Sequence, residues 1–275
     1  MSDTARSLVI RILDRIIEIR SFGERASSLL ETSYGHLRVA EQTANLVYSI
    51  EDTTDSGLLI RRQAALIQVP RAAEVLPYFD DDLVVQLQTL RPDLFFQHAA
   101  VVVLDERAFL FPAPRGHGKS TLAWALLQHG LRYSSDELGP IDPTAMTVAP
   151  YSRAICLKQA PPPPYEAPTE FVHDHLTLHL PVDCLAQPPI AEPVPLAGAF
   201  FPRFDPTVTK PQVQAIGTAA AAARLYSNAL NPLAHPGSGL DAAVAIAAKI
   251  PSYELISSSL PATCTMVLEI MNSGT

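Results

Sequence analysis

The residues best equipped for chemistry are Gly116-His117-Gly118-Lys119-Ser120-Thr121, and their types suit a phosphate. Two glycines let a backbone turn with its N–H groups pointing inward, and a helix starting there adds partial positive charge. Lys119 can then reach the β- and γ-phosphates, while the Ser120 hydroxyl can ligate Mg²⁺. The run approximates G-x-x-x-x-G-K-[ST], with Ala113 in the place of the first glycine. Alanine follows such a turn where φ stays negative. Arg115 and His117 lie inside the loop and either touch phosphate or point outward.

Phosphoryl transfer asks mainly for in-line positioning and for cations around the γ-phosphate, with a carboxylate near the attacking hydroxyl. Asp136 is the candidate acid, as base or as outer-sphere Mg²⁺ partner, and Glu137 is the reserve. On a strand the two would face opposite ways, so one acid is expected to point at the loop. Arg153, Lys158 and Arg203 are candidate transition-state cations, because each sits in an apolar or proline-rich context where a lone charge needs an anion. A structural salt bridge is the competing reading of each. Read from the residue alone, His98 is a hydrogen-bonded core histidine. His173, His175 and His179 share a face of an extended segment, but no thiolate or carboxylate spacing makes a zinc site of them. Trp124 reads as core, and no G-x-S-x-G elbow serves a hydrolase.

These residues must be positioned by a strand, a tight loop and a helix, and the sequence supplies them in order. Ala108-Phe109-Leu110-Phe111 is apolar, and Leu122 through Leu127 is apolar nearly all round, the pattern of a buried helix. Gly130 suits the helix's C-terminal cap, with His129 where a cation is favoured. Residues 97–105 and 108–112 predict a hairpin turning at Asp105-Glu106-Arg107. Residues 131–138, 139–142 and 146–150 predict strands joined by a short turn, so the sheet becomes antiparallel soon after one helix. Residues 161–168 are proline-rich and predict an extended surface loop that covers a site or only connects. Alanine-rich helices are expected over 218–229 and 240–249.

Upstream, residues 7–20 mix charges into an apolar pattern and predict an amphipathic helix, too polar for a signal peptide or membrane span. Residues 36–40, 44–50 and 57–62 are β-prone. Pro77 and Asp80-Asp81-Asp82 predict the start of a helix running to Leu90, and a soft boundary is placed near residue 80. At 275 residues and 48% hydrophobic content, the chain can fill one large or two small cores. The net charge of −8, with no basic stripe, argues against wholesale nucleic-acid binding. Cys156, Cys184 and Cys264 are odd in number and far apart, which fits neither a disulfide framework nor a CxxC zinc site and points to the cytoplasm.

The order His98-Ala99-Ala100, strand, Gly-x-Gly-Lys-Ser-Thr-Leu, apolar helix, Gly130, Ser135-Asp136-Glu137-Leu138 and Pro150-Tyr151-Ser152-Arg153-Ala154-Ile155-Cys156-Leu157-Lys158 resembles the catalytic domain of HPr kinase/phosphorylase and its shorter relatives. The likeness covers about residues 93–210, with weaker echoes at residues 200–205 and 251–255. It implies a P-loop in a fold similar to the phosphoenolpyruvate carboxykinase core, transfer of the γ-phosphoryl of ATP to a hydroxyl, and a place for His98 near the acceptor. The family's paired aspartates are here Asp136-Glu137, and the glutamate-arginine-glycine signature of the HPr enzymes is not recognisable, so HPr itself is not the expected acceptor.

The expectation is therefore an α/β protein with a P-loop in a mixed, largely antiparallel sheet, a buried helix after the loop and a smaller N-terminal α/β region. Residues 1–80 would shape the acceptor site or mediate assembly, and 81–275 would be the catalytic domain. ATP would bind at Arg115, Gly116, His117, Gly118, Lys119, Ser120 and Thr121, with Mg²⁺ at Ser120 and Asp136. Catalysis would draw on Lys119, Asp136, Glu137, Arg153, Lys158, Arg203 and His98. The acceptor would be a serine- or threonine-type hydroxyl of a peptide, protein or small metabolite, with no membrane partner and a possible homo-oligomer. A nucleotide-binding regulator or slow ATPase is the alternative.

Overall fold

The computed structural model describes residues 6–53, 57–71, 74–169, 172–173 and 177–273. The chain opens with a hairpin, β1 (Arg6–Ile12) and β2 (Arg15–Phe22), paired antiparallel. The helix expected over 7–20 is not formed. Leu13 and Asp14 both take positive φ, 49° and 59°, the two-residue turn whose twist suits a hairpin. Val9, Ile10, Ile12, Ile16, Ile17 and Ile19 are β-branched and favour strands. The charges that mimicked helical amphipathicity are the more exposed positions of the strands.

Helix α1 (Glu24–Tyr34) then crosses to β3 (Leu46–Asp52), which runs parallel to β2. Residues 36–40 are not a strand: Gly35–Leu37 is a 3-10 turn, followed by a single bridge from Arg38 to Ile10. Strands β4 (Leu58–Arg62) and β5 (Ala65–Val69) complete a five-stranded sheet in the order β1-β2-β3-β4-β5. Helix α2 (Val75–Leu90) begins earlier than expected and carries no acid in its first turn. Residue 80 thus lies inside a helix. Phe79, Leu83 and Leu87 of α2 share one buried cluster with Ile10, Ile17 and Tyr48, and also with Phe96, Leu138 and Tyr151. The N-terminal layer is packed directly onto the remainder of the chain.

The second sheet has eight strands. β6 (Phe95–Leu104) and β7 (Arg107–Pro112) form the expected hairpin through Asp105 and Glu106, both at positive φ. β8 (Arg132–Ser135) and β9 (Leu138–Asp142) pair with β6, and β10 (Thr147–Val148) pairs with β9. β14 (Val194–Phe204) lies between β7 and β16 (Ser252–Ser257), parallel to both, and β15 (Gln212–Ala215) closes the edge antiparallel to β16. The chain is mixed α/β with mixed sheets and six helices among the described residues.

Alternation along the central strands assigns the two faces. Ala100, Val102, Phe109 and Phe111 pack with α3 (Lys119–Leu127) and α6 (Leu260–Ser273). Ala99, Val101, Ala108 and Leu110 pack with α4 (Thr218–Ser227) and α5 (Leu240–Lys249). A third, small sheet of β11 (Ile155–Leu157), β13 (Leu178–Leu180) and β12 (Val172–His173) joins the α3 face. The proline-rich segment is not purely a surface loop. Pro162, Pro163 and Pro164 are exposed, but Tyr165 is buried, and its carbonyl accepts the Trp124 indole N–H at 2.9 Å. Trp124 is core, as its position in an apolar helix suggested.

Candidate functional site

β7 ends at Pro112 and α3 begins at Lys119, so the glycine loop spans the C-terminal edge of a strand at the sheet's centre. Gly116 and Gly118 take φ of 88° and 84°, a left-handed backbone that a side chain would strain. A Cβ at either would meet nothing within 4 Å, so conformation rather than crowding demands glycine there. Among the described residues no side chain caps α3, and its first N–H groups have no partner within the helix, the arrangement that receives an anion. Ser120 and Thr121 are half-buried in that first turn.

Lys119 is only 6% exposed. Its ammonium donates to the carbonyls of Ala113 at 2.7 Å and Pro114 at 3.2 Å and lies 3.2 Å from His98 Nε2. Burial pushes its pKa down to about 8, against the pull of Glu137 and Asp136. His98 Nε2 also lies 3.3 Å from Glu137 Oε1. That nitrogen can accept from the ammonium or donate to the carboxylate, so the tautomer selects the partner. Burial opposes ionisation of Glu137, but the His98 hydrogen bond, Arg153 and Lys119 outweigh it and hold the carboxyl at about 2.

Asp136 does not sit as strand alternation implied. β8 stops at Ser135, and Asp136 and Glu137 form a bend before β9, because the Ser135 hydroxyl accepts the N–H groups of Glu137 and Leu138. Asp136 is 1% exposed. Its Oδ1 accepts from the Tyr133 hydroxyl at 3.0 Å and its Oδ2 from the Cys156 N–H at 3.0 Å. Glu137 is the acid that touches the His98–Lys119 pair.

Arg153 is a second buried cation of the site, 5% exposed. Its guanidinium lies 3.4 Å from Asp80, 3.8 Å from Asp136 and 4.0 Å from Glu137. Sequence reasoning missed Asp80 as a site residue. Read as one of three acids opening a helix, it lies instead in the second turn of α2, where successive residues point about 100° apart. The three acids diverge accordingly: Asp80 to Arg153, Asp81 to Arg115 at 3.0 Å, and Asp82 to Arg62 and Tyr48. Burial raises the Asp80 pKa, partly offset by Arg153 and by the Tyr34 hydroxyl, which donates to it.

Arg115 is exposed and paired with the exposed Asp81, and His117 is half-buried. Lys158 is exposed, yet close enough to Lys119 to disfavour its charge. Arg203 is not gathered into this cluster. It pairs with Asp205 at 3.0 Å at the exposed end of β14, the salt-bridge reading. Of the three histidines, His175 and the His173 side chain lie outside the described residues. His179 Nδ1 is 3.1 Å from Cys156 Sγ. Among the described residues no group of three or more His, Cys, Asp or Glu is arranged to hold a metal ion, and no helix is long and apolar enough to cross a membrane.

The sheet centre thus brings together the glycine loop, Lys119, His98, Glu137, Asp136 and Arg153, with Asp80 contributed by the N-terminal layer. No protein-family model and no curated protein matches this chain.

Proposed function

We propose that the chain is an ATP-dependent phosphotransferase that moves the γ-phosphoryl group to an alcohol, as its resemblance to the HPr-kinase-like P-loop kinases implies. The observation that carries this reading is the junction of β7 and α3. Two left-handed glycines and the unpartnered N–H groups of a helix start lie beside a buried lysine backed by a histidine and a carboxylate. Such a lysine is held by loop carbonyls until an anion offers a better partner.

In this reading the loop N–H groups and Lys119 hold the phosphates, and Ser120 would offer its hydroxyl to Mg²⁺, with Asp136 as an outer-sphere partner. The metal would spread the negative charge of the transferring group. Glu137 orients the acceptor hydroxyl and takes its proton, directly or through His98, while Arg153 neutralises charge developing nearby. Asp136, with both oxygens occupied, fixes Arg153 and the bend that presents Glu137. The acceptor is a serine- or threonine-type hydroxyl on a peptide, protein or small metabolite rather than HPr.

Calorimetry with Mg-ATP, then ADP release measured with and without candidate acceptors, tests the reading, with mass spectrometry locating the phosphate. Acceptor-dependent ADP release is expected. ADP release that no acceptor accelerates would replace the proposal with a slow ATPase or nucleotide-binding regulator. Absence of Mg-ATP binding would end both.

A further inference from the structure

A cysteine–histidine pair shares Arg153 with the site, and the phosphotransfer reading gives the pair itself no task. Cys156 is the middle residue of β11, whose register places it opposite His179 on β13. Ile155 and Leu157 are buried in the core, so Cys156 projects to the other face of the strand. There its sulfur lies 3.1 Å from His179 Nδ1 and receives a hydrogen bond from Arg153 Nη1. The second imidazole nitrogen, Nε2, is 2.9 Å from the Thr177 hydroxyl. A nucleophile, a base within reach, a group that orients the base and a cation on the sulfur are the parts that activate a thiol.

We propose that Cys156 is a nucleophilic thiol and a covalent modification site for peroxides and soft electrophiles, with His179 as its base and Arg153 as the cation that holds the sulfur anion. In the oxidative step His179 Nδ1 takes the thiol proton and the thiolate attacks one oxygen of hydrogen peroxide. The O–O bond breaks, and the departing hydroxide recovers the proton as water. Sulfur loses two electrons to become a sulfenic acid and the peroxide gains them. With an alkyl iodide the same thiolate displaces iodide.

Among the described residues, three carboxylates connect to this thiol, through its own backbone N–H or through Arg153. Asp136 lies on the same side but is bonded to the Cys156 backbone N–H and the Tyr133 hydroxyl, while Asp80 and Glu137 reach the cluster through Arg153. Arg153 therefore links the sulfur to Asp80 and Glu137. A group added to Cys156 Sγ displaces Arg153 Nη1 and disturbs the cation shared with Asp80, Asp136 and Glu137. The other two thiols are placed differently: Cys264 is buried, and burial pushes it up to about 11, while Cys184 is half-buried in a short 3-10 turn.

The test uses the full chain, iodoacetamide at pH 6.5, and peptide mass spectrometry of each cysteine, with the urea-unfolded chain as reference. An ordinary thiol is about 1% ionised at that pH, so a base within hydrogen-bond reach of the sulfur raises the rate of attack. Cys156 is expected to label about tenfold faster in the native chain than in the unfolded chain, and Cys264 more slowly. Thr177→Val should lower the native rate several-fold, and His179→Gln should abolish the advantage. If His179→Gln fails to fold, Thr177→Val decides. Hydrogen peroxide with dimedone should mark Cys156 first. Native labelling no faster than unfolded labelling overturns the proposal. Protection that only EDTA lifts would also overturn it, making Cys156 a metal ligand instead. None of these readouts depends on phosphotransfer.

Discussion

Replacing Lys119 by Met should stabilise the ligand-free protein while removing its response to nucleotide. Lys119 has its pKa lowered from 10.5 to about 8, chiefly by burial. At about 1.4 kcal/mol per tenfold change, holding the charged lysine in the folded state costs about 3 kcal/mol at pH 7. That cost is fully present below pH 8 and fades as pH rises from 8 to 10.5, since over that interval the unfolded chain binds more protons than the folded one. Methionine removes it but forfeits the hydrogen bonds to Ala113 and Pro114, about 1 kcal/mol each. The net gain is about 1 kcal/mol, or about 2–4 °C in Tm for a chain of this size. Urea denaturation at pH 7 and pH 10 measures both terms. The advantage of Lys119→Met at pH 7 should shrink or reverse at pH 10. With Mg-ATP at a hundred times its Kd, wild type should gain about 2.7 kcal/mol and the variant almost nothing. A ligand-free variant more than about 2 kcal/mol less stable than wild type, with no pH-dependent difference, would refute the reasoning.

Three further outcomes are expected. Glu137→Gln should lower acceptor phosphorylation by about 10²–10⁴-fold while keeping the Mg-ATP thermal shift. Because the wild-type carboxyl is held at about 2, it contributes stability above pH 4.5 that is lost as pH falls toward 2, and the variant's stability curve should be flatter there; equal slopes would remove the argument. Asp136→Asn should instead destabilise by about 1–3 kcal/mol, because it weakens a buried partner of Arg153, and urea titration of both variants separates the two acids. Arg153→Met should destabilise by about 3–5 kcal/mol by leaving carboxylates uncompensated. Adding Asp80→Asn should recover part of that loss, and a double-mutant cycle reading no coupling would show that Asp80 does not hold Arg153.

The local parts of the candidate site were legible in the sequence because near neighbours determine them. Gly116 and Gly118 announce left-handed backbone, apolar residues 108–111 and 122–127 announce a strand and a helix, and Asp105-Glu106 announces a hairpin, each from residues within one or two turns. Residues 7–20 misled because charges interspersed among isoleucines satisfy a helical and a strand pattern alike. The choice fell to a turn at Leu13-Asp14 and to pairing with β3, about thirty residues away. Which acid faces the loop could not be read either. The Ser135 hydroxyl bends the chain before Asp136, and period-two reasoning holds only while a strand lasts. Asp80 on Arg153 and His179 on Cys156 join residues far apart in sequence but adjacent in space. Sequence determines residue types and local turns, whereas a buried charge acquires its partner only when separate layers pack and water is excluded between them.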